Sequence, residues 1–254
     1  MKKLILSFVV LMLVACVGTT SQKTPQELRP KTQIVVLSPK RPETLKTEGL
    51  RERAVYVIFH NSDHEVLKTG SGVFVRVEND NNIYVLTAAH VVFNAKIPDW
   101  TELDGKPPII VVKGYKDPDA STGEIVAINK ELDVALLKIK LHKQANYPYY
   151  AELDTDSLNP GDYLYTVGNP GRYKYLFTEG ALVTDEYPKM EQSYITSVPV
   201  DGGSSGGGLF NQTGEISGII THKIIHNPGF PAFSAATKSS EILIWLNSNN
   251  ITLE

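Results

Sequence analysis

The sequence predicts an all-β fold closed by one terminal helix, on three observations. From Arg51 onward, apolar and β-branched residues come in short runs of strand length. Gly, Asn, Asp and Pro punctuate those runs, and no helix-length apolar periodicity separates them until the last residues. The runs occupy 54–59, 72–77, 83–87, 109–112, 124–128, 134–141, 163–167, 176–183, 193–198, 215–221 and 231–236. A glycine run then leads into Leu209-Phe210 and another strand. In 134–141, Ala135, Leu137, Ile139 and Leu141 are expected to face a core while Lys138 and Lys140 face water. So many short strands argue for a barrel or a sandwich, and two small barrels suit about 200 residues. The exception follows Ala236. Ser239 or Ser240 is expected to cap a helix, with Glu241 in its first turn. Ile242, Leu243, Trp245 and Leu246 form its apolar face, and Asn249-Asn250 ends it.

Composition bounds the function. The chain has 254 residues, 42% hydrophobic and 21% charged, with a net charge of −3, so no broad basic field is available to attract a polyanion and nucleic acid is not expected as a partner. Its 19 glycines and 15 prolines are scattered, against collagen-like or broadly disordered readings. The single cysteine, Cys16, forbids an internal disulfide and removes thiol-ligated zinc, so stability must come from packing.

The N-terminus reads as an address. Met1-Lys2-Lys3 precedes an apolar stretch, 4–14, too short to span a bilayer, and 1–15 has the pattern of a secretory signal. Leu13-Val14-Ala15-Cys16 resembles a bacterial lipobox, in which the cysteine becomes the lipid-modified first residue of the mature chain. The expectation is an exported protein anchored to a bacterial membrane through Cys16. Val17 replaces the aspartate that retains many lipoproteins in an inner membrane, which favours the outer membrane in a source with two. Residues 16–50, rich in Thr, Pro, Lys and Gln, read as a flexible tether, with Pro25, Pro30, Pro39 and Pro42 opposing a helix. The folded domain is then 51–254.

Three sites carry chemistry together. Thr87-Ala88-Ala89-His90-Val91-Val92 places a histidine at the end of an apolar strand, where small residues let the backbone turn. Glu131-Leu132-Asp133-Val134 puts a carboxylate at the head of another. Gly202-Gly203-Ser204-Ser205-Gly206-Gly207-Gly208 surrounds a serine with residues lacking side chains, which lets a carbonyl approach and backbone N–H groups converge. A phosphate loop would need a following helix and a Gly-Lys-Ser/Thr ending, and neither is present. In the order His, Asp, Ser the three can supply a base, the acid that orients it and a nucleophile on an all-β scaffold.

With these residues, the chain resembles a trypsin/chymotrypsin-fold serine protease, nearest the bacterial HtrA-like and glutamyl-endopeptidase branches. Gly70-Ser71-Gly72 is similar to the strand motif preceding the family's histidine, Gly168-Asn169-Pro170 to the segment before its second-barrel hairpin, and 211–219 to its turn and Gly-Ile strand. The resemblance implies two six-stranded antiparallel β-barrels with a short C-terminal helix. It also implies a serine endopeptidase acting on exported proteins or peptides: His90, Asp133 and Ser205 catalytic, the N–H groups of Gly203 and Ser205 as oxyanion hole, and neither metal nor organic cofactor. Only a short helix is expected after Ala236, so no HtrA-type peptide-sensing module is expected.

Departures from the family pattern bear on regulation and specificity. Ser204 stands where digestive trypsin-like enzymes place the aspartate that pairs with a newly cut N-terminus, so activation by that route is not expected. Pro199 occupies the place of their acidic specificity residue, against a Lys or Arg preference. Ile220, not histidine, follows Gly218-Ile219, against a strict glutamate preference. The expected substrate-binding residues are Pro199, Ile220, Thr221 and His222, with an apolar wall favouring a small or aliphatic residue before the scissile bond. Thr221 is expected to carry a hydroxyl near Asp133, and Lys223 to border the groove. His60/His64 and His222/His226 have helical metal-site spacing but lie in strand-and-turn sequence, so no metal is expected at either. Tyr147, Tyr149 and Tyr150 flank Pro148 and read as an interaction patch or an inter-barrel linker. Two rival functions remain: a catalytically silent lipoprotein acting as a binding module, and an esterase or amidase on small acyl substrates.

Overall fold

The computed structural model describes residues 47–61, 63–80, 82–93, 109–116, 119–140, 149–171, 173–225 and 232–253. Residues 1–46, which hold the expected leader 1–15, Cys16 and most of the expected tether 16–50, lie outside these residues, as do Leu141, Tyr147 and His226. In chain order the elements are α1 (Thr47–Arg53), β1 (Ala54–His60), β2 (Val66–Val75), β3 (Ile83–Thr87), α2 (Ala89–Val92), β4 (Ile109–Gly114), β5 (Ser121–Asn129) and β6 (Val134–Lys140). There follow β7 (Tyr163–Gly168), β8 (Leu176–Thr184), β9 (Ser193–Thr196), β10 (Gly208–Phe210), β11 (Ile216–Ile224), β12 (Phe233–Lys238) and α3 (Ser239–Ser248).

The strands close into two antiparallel barrels, ordered β1-β2-β3-β6-β5-β4 and β10-β11-β12-β9-β8-β7. Closure pairs every edge that an open sheet would leave exposed. Most strand boundaries match the apolar runs, and the differences have backbone causes. β2 starts at exposed Val66 because the ladder with β1 carries it to His60↔Val66, whatever its side chains bury. β9 stops at Thr196 because the Val198 N–H turns to Thr196 Oγ1.

Alternation along the strands builds two interiors at once. Val55, Val57, Phe59, Phe74, Val85, Ala135, Leu137 and Ile139 fill the first barrel, and Leu164, Leu182, Leu209, Ile220 and Ala236 the second. The opposite faces of the same strands, Val73, Val75, Leu86, Val134 and Leu136, meet Tyr165, Val167, Phe210, Ile216 and Ile219 in a third cluster between the barrels. β6 buries Ala135, Leu137 and Ile139 as expected and leaves Lys140 exposed, and it adds a second burial: Val134 and Leu136 are fully buried, because that strand faces its own barrel on one side and the second barrel on the other.

Both ends strap the barrels together. α1 begins inside the segment read as tether, and Leu50 is 1% exposed within the inter-barrel cluster. Arg51 Nε donates to the Tyr175 carbonyl at 3.2 Å, Arg53 Nη1 to the Gly214 carbonyl at 2.6 Å, and Glu48 and Glu52 pair with Lys116. α3 buries Ile242, Trp245 and Leu246, and the chain then returns to the first barrel, where the Glu78 N–H donates to the Thr252 carbonyl. Neither serine caps α3: the cap position is Lys238, and the Ser239 hydroxyl instead donates to the Asp154 carbonyl at 2.7 Å, a tertiary partner outcompeting the local one. Asn249 ends the helix, as expected.

Because Leu50 holds the N-terminal strap, Leu50→Ala is expected to cost about 2–5 kcal/mol. Equilibrium denaturation of the variant against the parent checks it.

Candidate active site

His90 sits one residue into α2, directly after β3, and buried Ala88 and Ala89 allow the close turn. Asp133 heads β6 from a turn built on Asn129, whose Oδ1 accepts the N–H groups of Glu131 and Leu132, both at 3.0 Å. Asp133 itself has φ 54°, a left-handed conformation that a short polar side chain tolerates. Both its carboxylate oxygens reach His90: Oδ1 accepts the backbone N–H at 2.8 Å and Oδ2 contacts ring Nδ1 at 2.6 Å. An acceptor at Nδ1 places the ring hydrogen there and leaves the Nε2 lone pair free. Lys68 closes the other end of α2, donating from Nζ to the carbonyls of His90 and Phe93, both at 2.7 Å. Burial lowers its pKa, and Asp133 opposes that shift.

Ser205 comes from the second barrel, on the loop before β10. Its hydroxyl donates to the Thr221 carbonyl at 3.3 Å. The peptides around it are held one after another. The Gly202 carbonyl accepts the Gly171 N–H at 2.8 Å, the Ser204 carbonyl accepts the Gly207 N–H at 3.0 Å, and the Ser204 N–H donates to the Asp201 carbonyl at 2.8 Å. A trans peptide points its N–H opposite its carbonyl, so anchoring the carbonyls of Gly202 and Ser204 aims the N–H groups of Gly203 and Ser205. Among the described residues neither of these two N–H groups has an intramolecular acceptor, whereas those of Gly202, Ser204, Gly206 and Gly207 do.

Ser204 is buried, and its hydroxyl accepts the Asp201 N–H at 3.2 Å, closing a turn within the loop itself. Asp201 Oδ1 accepts the Gly202 N–H at 2.9 Å and pairs with Lys223 Nζ at 3.2 Å, and these contacts lower its pKa. The pair joins the loop to β11 across the mouth of a cleft of about 510 Å³ beside Ser205, walled by Val200, Ile220, Thr221 and His222. A second cleft of about 420 Å³ continues along Glu131, Met190, Thr221 and His222.

The structure brings His90, Asp133, Ser205, Ile220, Thr221 and His222 to one cleft. Pro199 lies outside it. Its carbonyl is tied to Thr178 Oγ1 at 2.9 Å, so Val200 takes the wall and Pro199 lines a neighbouring cavity with Pro170, Tyr173 and Leu176. Thr221 lines both clefts together with Asp133; its hydroxyl donates to the Ala235 carbonyl at 3.4 Å, and it is the Thr221 carbonyl that faces the serine. The reason is a bulge. β11 pairs Ile220↔Ala236 and His222↔Ala235, leaving Thr221 as the extra residue and swinging His222 outward, its ring 6.2 Å from that of His90. His60 and His64 form their own local contact, Nδ1 of His60 meeting the His64 carbonyl at 3.0 Å. Lys68 and Asp201 escaped the sequence reading because each acts through contacts distant along the chain or local to a turn, with no periodic signature.

Glycine at 206 is dictated by contact as well as conformation. With φ +89°, a Cβ there would stand 2.1 Å from the Ser71 carbonyl oxygen, whereas one at Gly202 would meet nothing within 4 Å. Thermal melts are expected to show Gly206→Ala destabilised by about 3 kcal/mol or more, or unfolded, and Gly202→Ala folded like the parent.

Comparison with known proteins accords with this arrangement. The profile of the trypsin-like peptidase domain matches residues 70–219. A Pseudomonas putida protein named "Probable periplasmic serine endoprotease DegP-like" is 28% identical over 181 residues, 68% of this chain and 33% of that protein. A Marinomonas protein of the same name is 30% identical over 174 residues, 67% of this chain and 33% of that one. A "Probable periplasmic serine protease do/HhoA-like" protein of Haemophilus influenzae is 30% identical over 178 residues, 68% of this chain and 34% of that one. The chain thus spans about a third of the length of these relatives. The crystal structure of a serine endoprotease from Yersinia pestis shares the fold, with a TM-score of 0.60 and 22% identity over 80% of this chain and 66% of that one. The profile runs from the Gly-Ser-Gly strand to the strand beside the cleft and takes in His90, Asp133 and Ser205, and on that match this chain belongs to the trypsin-like peptidase domain family.

Proposed function

We propose that the chain is a serine endopeptidase acting on exported proteins or peptides. The observation that carries this reading is the double contact of Asp133 with His90 on one wall of the cleft, facing Ser205 with two unspent N–H groups on the other. In this mechanism His90 Nε2 takes the Ser205 proton as Oγ attacks a substrate carbonyl, and Asp133 holds the ring tautomer and stabilises its charged form. The carbonyl oxygen gathers negative charge between the N–H groups of Gly203 and Ser205, each worth roughly 10²–10³ in rate. His90 then returns the proton to the leaving amine, and a water activated by the same ring clears the acyl-enzyme. The substrate lies along β11, whose Thr221 carbonyl exchanges the Ser205 hydroxyl for a substrate N–H in the manner of strand addition. Val200 and Ile220 make the wall apolar, so a small or aliphatic residue precedes the scissile bond, with His222 bordering the next position.

The test is hydrolysis of fluorescent casein and labelling by a fluorophosphonate, using the full chain in detergent. Ser205→Ala is expected to abolish labelling and lower turnover by at least ~10³-fold, and Asp133→Asn to lower it by about 10⁴-fold through the wrong tautomer. A peptide-library profile should be dominated by Ala, Val, Leu or Ile before the cut. Dominance of Arg, Lys or Glu would overturn the specificity. Turnover of small esters without casein would favour the esterase reading, and a folded chain inert to both would favour the binding module.

We infer further that residues 1–15 are removed, that Cys16 carries the lipid, and that a tether reaching residue 46 holds the domain on the periplasmic side of the outer membrane or at the cell exterior. The lipobox-like Leu13-Val14-Ala15-Cys16 supports this reading, and the curated relatives are named as periplasmic. Incorporation of labelled palmitate, expected in the parent and lost in Cys16→Ser, checks it.

A further inference from the structure

We propose that Ser71, on β2 of the first barrel, is the positioning residue of the oxyanion hole carried by the second, an inference that rests on the endopeptidase reading. Ser71 is fully buried, and its backbone N–H, hydroxyl and carbonyl all bond to segments that build the site. Its N–H donates to the Ser205 carbonyl at 2.7 Å, and its own carbonyl accepts the hydroxyl of Thr87, three residues before His90, at 2.7 Å. Its hydroxyl lies between the Gly203 carbonyl, at 2.7 Å, and the backbone and side-chain N–H groups of Asn169, at 2.9 and 3.1 Å.

The direction of these bonds is not free. Asn169 offers two donors, so it takes both lone pairs of the hydroxyl, and the single hydroxyl hydrogen must go to Gly203. Asn169 is locked in turn: its Nδ2 also donates to the Val55 carbonyl and its Oδ1 accepts the Tyr175 N–H. The Gly203 carbonyl therefore has its place set by a chain of bonds starting in the first barrel. Gly203 lies hard against the same residue: with φ +100°, a Cβ on it would stand 2.4 Å from the Asn169 carbonyl oxygen.

This anchor governs the hole because it sits between the two donors. The Gly202 and Ser204 carbonyls are held within the second barrel, by Gly171 and Gly207, and the intervening Gly203–Ser204 peptide is held by Ser71. If that peptide turns, the N–H groups of Gly203 and Ser205 no longer converge on one point, while the walls of the cleft stay where they are. Removing the hydroxyl takes the anchor from the part-buried Gly203 carbonyl and leaves N–H groups of buried Asn169 without it, so the carbonyl is free to rotate toward water. Ser71 thereby takes part of the ordering task that an ion pair performs where an aspartate precedes the nucleophile, the rest falling to the Asp201–Ser204 turn.

The experiment compares the full chain with Ser71→Ala and Ser71→Cys in three measurements: steady-state hydrolysis of a peptide amide, affinity for the matching peptide aldehyde, and affinity for the same peptide as its primary amide. The aldehyde forms a tetrahedral adduct whose oxygen needs the hole, and the amide binds only the cleft. Ser71→Ala is expected to lower kcat by about 10²-fold with KM within threefold, to weaken the aldehyde in the same proportion, and to leave the amide unchanged. Cysteine keeps the packing but offers weaker hydrogen bonds, so the same pattern is expected there and decides the matter should the alanine variant fail to fold. A kcat within threefold of the parent, or equal weakening of aldehyde and amide, would overturn the proposal. An inert, unlabelled parent overturns the endopeptidase reading and this role with it; an active parent with equally active variants overturns the role of Ser71 alone.

Discussion

Everything at the candidate site depends on the apolar cluster between the barrels, because the site is divided between them. His90 and Asp133 belong to the first barrel and Ser205 to the second, so no packing inside either barrel sets the distance between the imidazole and the serine hydroxyl. That distance is set by Val73, Val75, Leu86, Val134 and Leu136 meeting Tyr165, Val167, Phe210, Ile216 and Ile219. Close-packed interiors transmit small displacements rather than absorbing them, which suits a surface that must hold a hydrogen-bonding geometry. The two straps, Leu50 on α1 and the return of the chain past α3, add to the same cluster and its margins.

On this rigid base the polar groups at the junction are matched in detail. Ser71, Thr87 and Asn169 are almost wholly buried, and each is bonded across or along the interface. An unpaired group at such a place would cost about 1–3 kcal/mol, so these bonds select one arrangement of the loop over its neighbours more than they add to stability. The glycines serve the same end. At Gly206 the backbones of the two barrels, and at Gly203 two segments of the second barrel, come so close that only a hydrogen atom fits at the α-carbon.

The charges at the site divide into an inner and an outer set. The inner pair, His90 and Asp133, is partly sheltered, and the carboxylate is fixed by the backbone as well as by the ring. The outer pair, Lys223 and Asp201, lies at the mouth of the cleft with Asp201 72% exposed, where water and salt screen it. Its carboxylate titrates below the ordinary range because the Gly202 N–H and the Lys223 ammonium favour the charged form, so the link from loop to β11 is complete at neutral pH and is lost as pH falls through that lowered pKa. A weak, exposed pair of this kind shapes the entrance without holding His90, Asp133 or the Ser205 hydroxyl.

What was legible in the sequence follows from physics that acts locally. Strand-length apolar runs, the turn residues between them, the amphipathic last helix, and a histidine, an aspartate and a glycine-wrapped serine in order all leave marks within a few residues. The strands, the helix and the gathering of His90, Asp133 and Ser205 could therefore be anticipated from neighbouring residues and a family resemblance. The second burial of Val134 and Leu136 could not, since it exists only once another barrel covers the outer face of β6. Nor could the bulge that makes Thr221 the extra residue of β11, the Lys68 clasp on α2, or the tertiary partner that draws Ser239 from capping. Each depends on atoms from distant parts of the chain meeting at hydrogen-bonding distance, which burial pattern and residue spacing do not encode. Local sequence determined which residues could do chemistry; tertiary structure alone decided their mutual aim, because the geometry of a hydrogen bond is a property of the pair.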